Sequence, residues 1–183
     1  ASKDTSIDSA NPTLNFGAST SLAENRGGGN TLGTRQILTQ FDLSSIPAGA
    51  TITSAQFRMT KTDSSNPAIN FQIYPLLKSW TEGTANGSAG VASFNQRNSG
   101  TAWTGAGTAF NSLAPSPDFG SLLAETTVNG AGTYTWSAAA LLSQVQSWYS
   151  TPANNFGLVL GCNGLGTKDT IWNSRESSGA KPE

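Results

Sequence analysis

The chain has 183 residues and a formal net charge of −1, and only 11% of its side chains are charged, against roughly 25% in an average soluble domain. It has no histidine and a single cysteine, which removes Ser-His-Asp and Cys-His catalysis and the usual zinc and copper shells. No Lys/Arg cluster offers a footprint for phosphate and no apolar run approaches ~18 residues, so neither nucleic acid nor membrane insertion is expected.

The opening Ala1-Ser2-Lys3-Asp4 reads as the start of a mature secreted chain. Gln36 to Leu43 alternates, with Ile37, Thr39, Phe41 and Leu43 on one face, and the turn Ser44-Ser45-Ile46-Pro47-Ala48-Gly49 follows. Ile52 to Thr60 then places Ala55, Phe57 and Met59 inward, and Ile69, Phe71 and Ile73 repeat the pattern. Asn86-Gly87, Asn129-Gly130 and Asn163-Gly164 are turn dipeptides, and the last two are expected to close hairpins. Asn-Phe-Gly, at 15–17 and 155–157, reads twice as a turn feeding a strand. The stretch from about Thr84 to Gly120 is irregular and is where a functional loop is first sought. Ser137 is expected to N-cap a helix over 138–149, with Leu141, Val145 and Trp148 on one face and Pro152 enforcing the stop. Short alternating strands between such turns predict an all-β, jelly-roll-like sandwich of two antiparallel sheets with one short capping helix, as a single domain over 1–183.

Candidate site residues come from the aromatics. Trp and Tyr faces stack on sugar rings, yet the same side chains fill cores. Trp80 and Trp148 read as buried and Trp136 as half buried. Trp103, in the small-residue loop Gly100–Gly105, and Trp172, near the end of the chain, are the candidate ligand platforms. A carboxylate pair is the one catalytic design left open, with Glu82 and Glu176 its most notable members; the bland reading, that they cap turns or pair with cations, is preferred. Gly161–Lys168 resembles a phosphate loop only superficially, since Thr precedes Lys and no helix follows. Cys162 reads as a small buried hydrophobe. No cofactor is expected; a structural calcium stays open, since Asp4, Asp8, Asp63 and Asp169 are available hard oxygen donors, but their spacing is not diagnostic and assigns no ligand.

The order of motifs resembles the DNRLRE-type domains, which are grouped with carbohydrate-binding modules. Asp4-Thr5, Asn15-Phe16-Gly17, Arg35 with Phe41-Asp42-Leu43-Ser44-Ser45-Ile46-Pro47, Ala50–Ala55, Trp80-Thr81-Glu82-Gly83, Trp148 with Asn154–Leu160, and Ser174-Arg175-Glu176 carry the likeness. It implies an extracellular or cell-surface sandwich, attached to polysaccharide-active enzymes or surface proteins. No ligand residue transfers with it, because the shared motifs are turn, core and capping positions. Similar domains continue past a Lys/Arg-Pro step into a last apolar strand, whereas this sequence stops at Lys181-Pro182-Glu183. A final strand is therefore expected to be missing, or donated by a neighbour.

The expected function is a non-catalytic glycan-binding module whose partner is a polysaccharide. The alternative is a structural subunit of an extracellular filament, surface layer or virion that binds copies of itself through edge-strand contacts.

Overall fold

Ile37 and Leu38 are neighbours in a strand, where successive side chains point to opposite faces, and both are fully buried. The sheet that holds them must therefore be covered on both sides. The computed structural model, which describes residues 1–26, 34–64, 68–111, 113–162 and 169–183, shows how.

The strands are β1 (Lys3–Asp8), β2 (Leu14–Asn15), β3 (Ser21–Arg26), β4 (Thr34–Gln40), β5 (Phe57–Lys61), β6 (Ile69–Pro75), β7 (Ser88–Ala89), β8 (Gln96–Asn98), β9 (Thr101–Ala102), β10 (Ala124–Val128) and β11 (Gly132–Trp136). Helix α1 (Ala139–Ser150), β12 (Leu158–Cys162) and β13 (Thr170–Asn173) complete the order. All ladders are antiparallel; the main path runs β10-β6-β12-β4-β3-β13-β5-β11, with β1 paired along β4 from Lys3↔Gln40 to Asp8↔Arg35, and β2–β7 and β8–β9 form separate short pairs. β3 crosses between the layers: Asn25 and Arg26 pair with β4, while Ser21–Glu24 pair with β13.

One core lies between the two sheets. Leu22, Ile37, Phe57, Met59, Phe71, Ile73, Leu158, Leu160, Trp136 and Trp172 meet there, and Leu141 and Trp148 of α1 close its end. The fold is thus an all-β sandwich with one short helix, as the alternation predicts. Phe57 and Met59 point in and Arg58 out, as expected for β5. The extended run Thr51–Gln56 ahead of it, however, joins no ladder. At the far end of the chain Arg58 and Glu183 exchange both backbone hydrogen bonds, at 2.7 and 3.0 Å.

The second core covers the other face of the first sheet. Ile7, Leu38, Tyr74 and Val159, alternating with the inward set, meet Trp80, Phe94, Trp103, Phe110 and Phe119 from the irregular segment. Thr84 to Gly120 is therefore a covering layer, whose only ladders among the described residues are the short β8–β9 pair and β7 against β2. Within this layer the kinked Thr104–Asn111 segment runs close against the Phe94 backbone: a Cβ at Gly107 would stand 1.9 Å from the Phe94 carbonyl oxygen.

Three local expectations change. α1 is preceded by Ala138 in extended conformation, with no side-chain cap, so Ser137 does not act as N-cap. The Asn129-Gly130 turn joins β10 to β11, but these pair with β6 and β5 respectively, so the turn passes between sheets and closes no hairpin ladder. Trp136 is fully buried rather than half buried, its indole N–H donating to the Phe71 carbonyl at 2.8 Å. The Asn163-Gly164 turn lies outside the described residues.

Candidate functional site

Both candidate platforms are core residues. Trp103 is 2% exposed, donates its indole N–H to the Ser93 carbonyl at 3.0 Å and meets Phe110 edge-on at 5.1 Å. Its small-residue loop does not leave the ring outside, because Trp103 joins the cluster of Phe94, Phe110 and Phe119. Trp172 is 0% exposed at the centre of β13, opposite Leu22, and packs against Phe71, Tyr134 and Trp136. Nearness to a chain end carries no information about depth in a sheet. Neither indole presents a face to a ligand.

A groove of about 780 Å³ opens elsewhere, where the end of β4 meets the C-terminal turn of α1. Its apolar lining is Phe41, Leu43, Ile46, Tyr149 and Pro152, with Trp148 behind, and its polar edge is Ser2, Lys3, Gln40, Asp42, Ser44 and Asn155. Each wall is fixed by hydrogen bonds. The Tyr149 hydroxyl donates to the Pro47 carbonyl at 2.6 Å and accepts the Ala50 N–H at 3.1 Å, tying α1 to the turn. Asn155 donates to the Phe41 carbonyl at 2.8 Å and accepts on its own carbonyl from Gln40. The Asp42 carboxylate accepts the Ser44 N–H and hydroxyl, which holds its pKa below the usual range and keeps the exposed rim charged. Lys3 lies 4.3 Å from the Trp80 ring centroid and donates to the Trp80 carbonyl. Such a surface offers apolar stacking area flanked by hydroxyl, amide and carboxylate groups. The sequence places Phe41–Pro47 in core and turn; the aromatic Tyr149, three residues before Pro152, is the sequence signal that points to this groove.

The carboxylates Glu82 and Glu176 do come together, but outside this groove. Arg175 grips Glu82 bidentately at 2.7 and 2.6 Å and approaches Glu176 at 2.9 Å. Asp4 joins them: its N–H donates to Glu82 at 2.6 Å and its Oδ2 accepts the Arg175 N–H at 2.8 Å. Burial, with the Glu176 and Glu82 charges adding, pushes the Asp4 carboxyl up to about 7. The motifs Asp4-Thr5, Trp80–Gly83 and Ser174–Glu176, far apart in sequence, thus converge on one ion cluster. The other acidic candidates are engaged separately: Asp8 and Asp169 with Arg35, and Asp63 with Lys61.

The comparisons bear on the first half of the chain. The sequence model of carbohydrate-binding module family 96 matches residues 1–89. The match includes β1 to β6, the Phe41–Gly49 turn that forms one wall of the groove, and Trp80–Gly83. Its description supports a carbohydrate-binding-module-like domain. No curated protein matches the chain. Among the described residues no helix is long and apolar enough to cross a membrane.

Proposed function

We propose that this protein is a non-catalytic, extracellular glycan-binding module that takes a polysaccharide chain in the groove between the Phe41–Gly49 turn and the end of α1. The observation that carries the reading is the composition of that groove: Phe41, Leu43, Ile46 and Tyr149 for the C–H faces of sugar rings, with Asp42, Ser44 and Asn155 for their hydroxyls. The family match over residues 1–89 supports a carbohydrate ligand. The finer DNRLRE-type assignment rests on the order of the motifs named above. The alternative, a filament or surface-layer subunit binding copies of itself, draws no support from that match.

Affinity electrophoresis through gels cast with neutral or acidic polysaccharides tests the proposal. At least one polysaccharide retards the wild type, and Leu43→Ala or Asp42→Ala releases it without shifting the melting temperature by more than a few degrees. Retardation unchanged in both variants would show that the groove is not the site.

A further inference from the structure

We propose that Asp4, Glu82 and Glu176 form a binding site for one divalent cation of the calcium type, which clamps the first strand to the loop after Trp80 and to the segment after β13. One oxygen from each of the three carboxylates lies within 4.8 Å of the others. Oxygens on opposite sides of a calcium ion, each at 2.3–2.6 Å, stand about 5 Å apart, so the cluster has the span of a shared ion.

A cluster of acids alone would say little. The deciding observation is that two oxygens in it are orphaned. Asp4 is 1% exposed, and its Oδ1, together with Glu176 Oε2, is buried with no hydrogen-bond partner. Buried acceptors normally find donors, so two left without one in a single cluster mark a place that receives something else.

Every other polar atom of the cluster is engaged. Arg175 satisfies both Glu82 oxygens and Glu176 Oε1, and the Arg175 N–H satisfies Asp4 Oδ2. Arg175 therefore orients the carboxylates from one side, as outer-shell donors do around metal sites, and leaves Asp4 Oδ1 and Glu176 Oε2 unused. Glu82 completes the three through Oε2, which accepts only from Arg175 and keeps a lone pair, whereas its Oε1 is taken up by Arg175 and the Asp4 N–H. Three carboxylates converge on one guanidinium, with the Lys3 ammonium beside Glu82 as a further cation, so a bound cation would relieve the crowding of acidic groups. The donors are all hard oxygens, which selects calcium over softer transition metals. Three side chains anchored on separate segments suit the larger, geometrically tolerant ion better than magnesium.

The test uses chelator-stripped protein with no glycan present. Calcium chloride raises the melting temperature, and magnesium at equal concentration does so much less. Terbium bound in place of calcium luminesces on excitation of tryptophan, since Trp80 is two residues from Glu82, and calcium quenches that emission by displacement. Binding falls in the range of about 10⁻⁴–10⁻³ M typical of extracellular modules. Glu176→Gln and Asp4→Asn each weaken calcium binding at least tenfold and abolish the calcium-dependent rise in melting temperature. Absence of both a calcium-dependent melting shift and terbium emission in the wild type overturns the proposal, whatever the variants do. So does a full calcium response retained in both variants.

Discussion

Glu24 and Thr170 face each other across the β3–β13 ladder, with the Glu24 Oε2 and the Thr170 hydroxyl 3.1 Å apart. The hydroxyl is also 3.1 Å from the Glu24 backbone carbonyl and accepts the Trp172 indole N–H at 3.1 Å. It has one proton to give. If that proton goes to the Glu24 carbonyl, the contact with Oε2 is made only when Glu24 itself carries a proton and donates. Burial pushes the Glu24 carboxyl up to about 7, opposed by the Cys162 N–H at 2.7 Å. The environment thus favours the neutral acid.

This fixes the sign of a pH dependence. The native state holds the Glu24 proton to about pH 7, whereas the unfolded chain releases it near its ordinary value of 4.5. The stabilisation is therefore complete below the unfolded value and is lost as pH rises toward 7, with a slope of at most about 1.4 kcal/mol per pH unit. Asp4, also raised to about 7, adds a decline of the same sign. Urea unfolding in chelator between pH 4 and 8 is expected to show stability falling over this window. Glu24→Gln, which keeps the acceptor for Cys162 and a donor for Thr170, should remove roughly half of the fall; an unchanged profile would refute the assignment.

Trp103 is predicted to matter for stability alone. Trp103→Ala empties a space walled by Phe110 and orphans the Ser93 carbonyl, at a cost of about 3–5 kcal/mol. Denaturant midpoints report this loss. For protein that remains folded, glycan retardation is unchanged, and a selective loss of binding would return the residue to the ligand.

Asn15 is fully buried and spans two loops: its amide donates to the Glu82 and Ala92 carbonyls at 2.7 and 2.8 Å, and its Oδ1 accepts from Gly17 and Ala85. Asn15→Asp replaces the double donor with an acceptor-only group facing two carbonyls. The expected loss is at least about 3 kcal/mol, larger at pH 8 than at pH 4, where protonation restores one donor. Thermal melts at the two pH values measure it.

Tyr149→Phe keeps the ring that lines the groove and deletes the hydroxyl joining Pro47 and Ala50. The stability cost is about 0.5–1.5 kcal/mol. Binding weakens further, because the turn carrying Ile46 and Gly49 is no longer held against α1. Calorimetric titration with whichever polysaccharide retards the wild type separates the two effects; an affinity equal to the wild type's would mean that the turn needs no tether.

The sandwich was legible because alternation at Ile37–Phe41, Phe57–Met59 and Ile69–Ile73 is a direct print of strand geometry. The helix was legible from Leu141, Trp148 and Pro152, though not its cap. The covering layer was not, since Phe94, Trp103, Phe110 and Phe119 have no period and their shared destination is set by tertiary packing. The ion cluster was half legible. Glu82 and Glu176 stood out, but sequence measures no distance, and Arg175 lying between them is a fact of three dimensions. The groove was missed because its residues come from a turn and a helix end that meet only after folding.

Burial of both faces of β4 has a kinetic side. Ile37 cannot be enclosed until the second sheet docks, nor Leu38 until a segment more than fifty positions downstream lies down over it, so most of the stabilising partners are distant along the chain. Such topologies assemble slowly, and their innermost amides open only in global unfolding. The N–H groups of Ile37 to Thr39, walled in by β1 and β12 on either side, should therefore be the last to trade protons for deuterons.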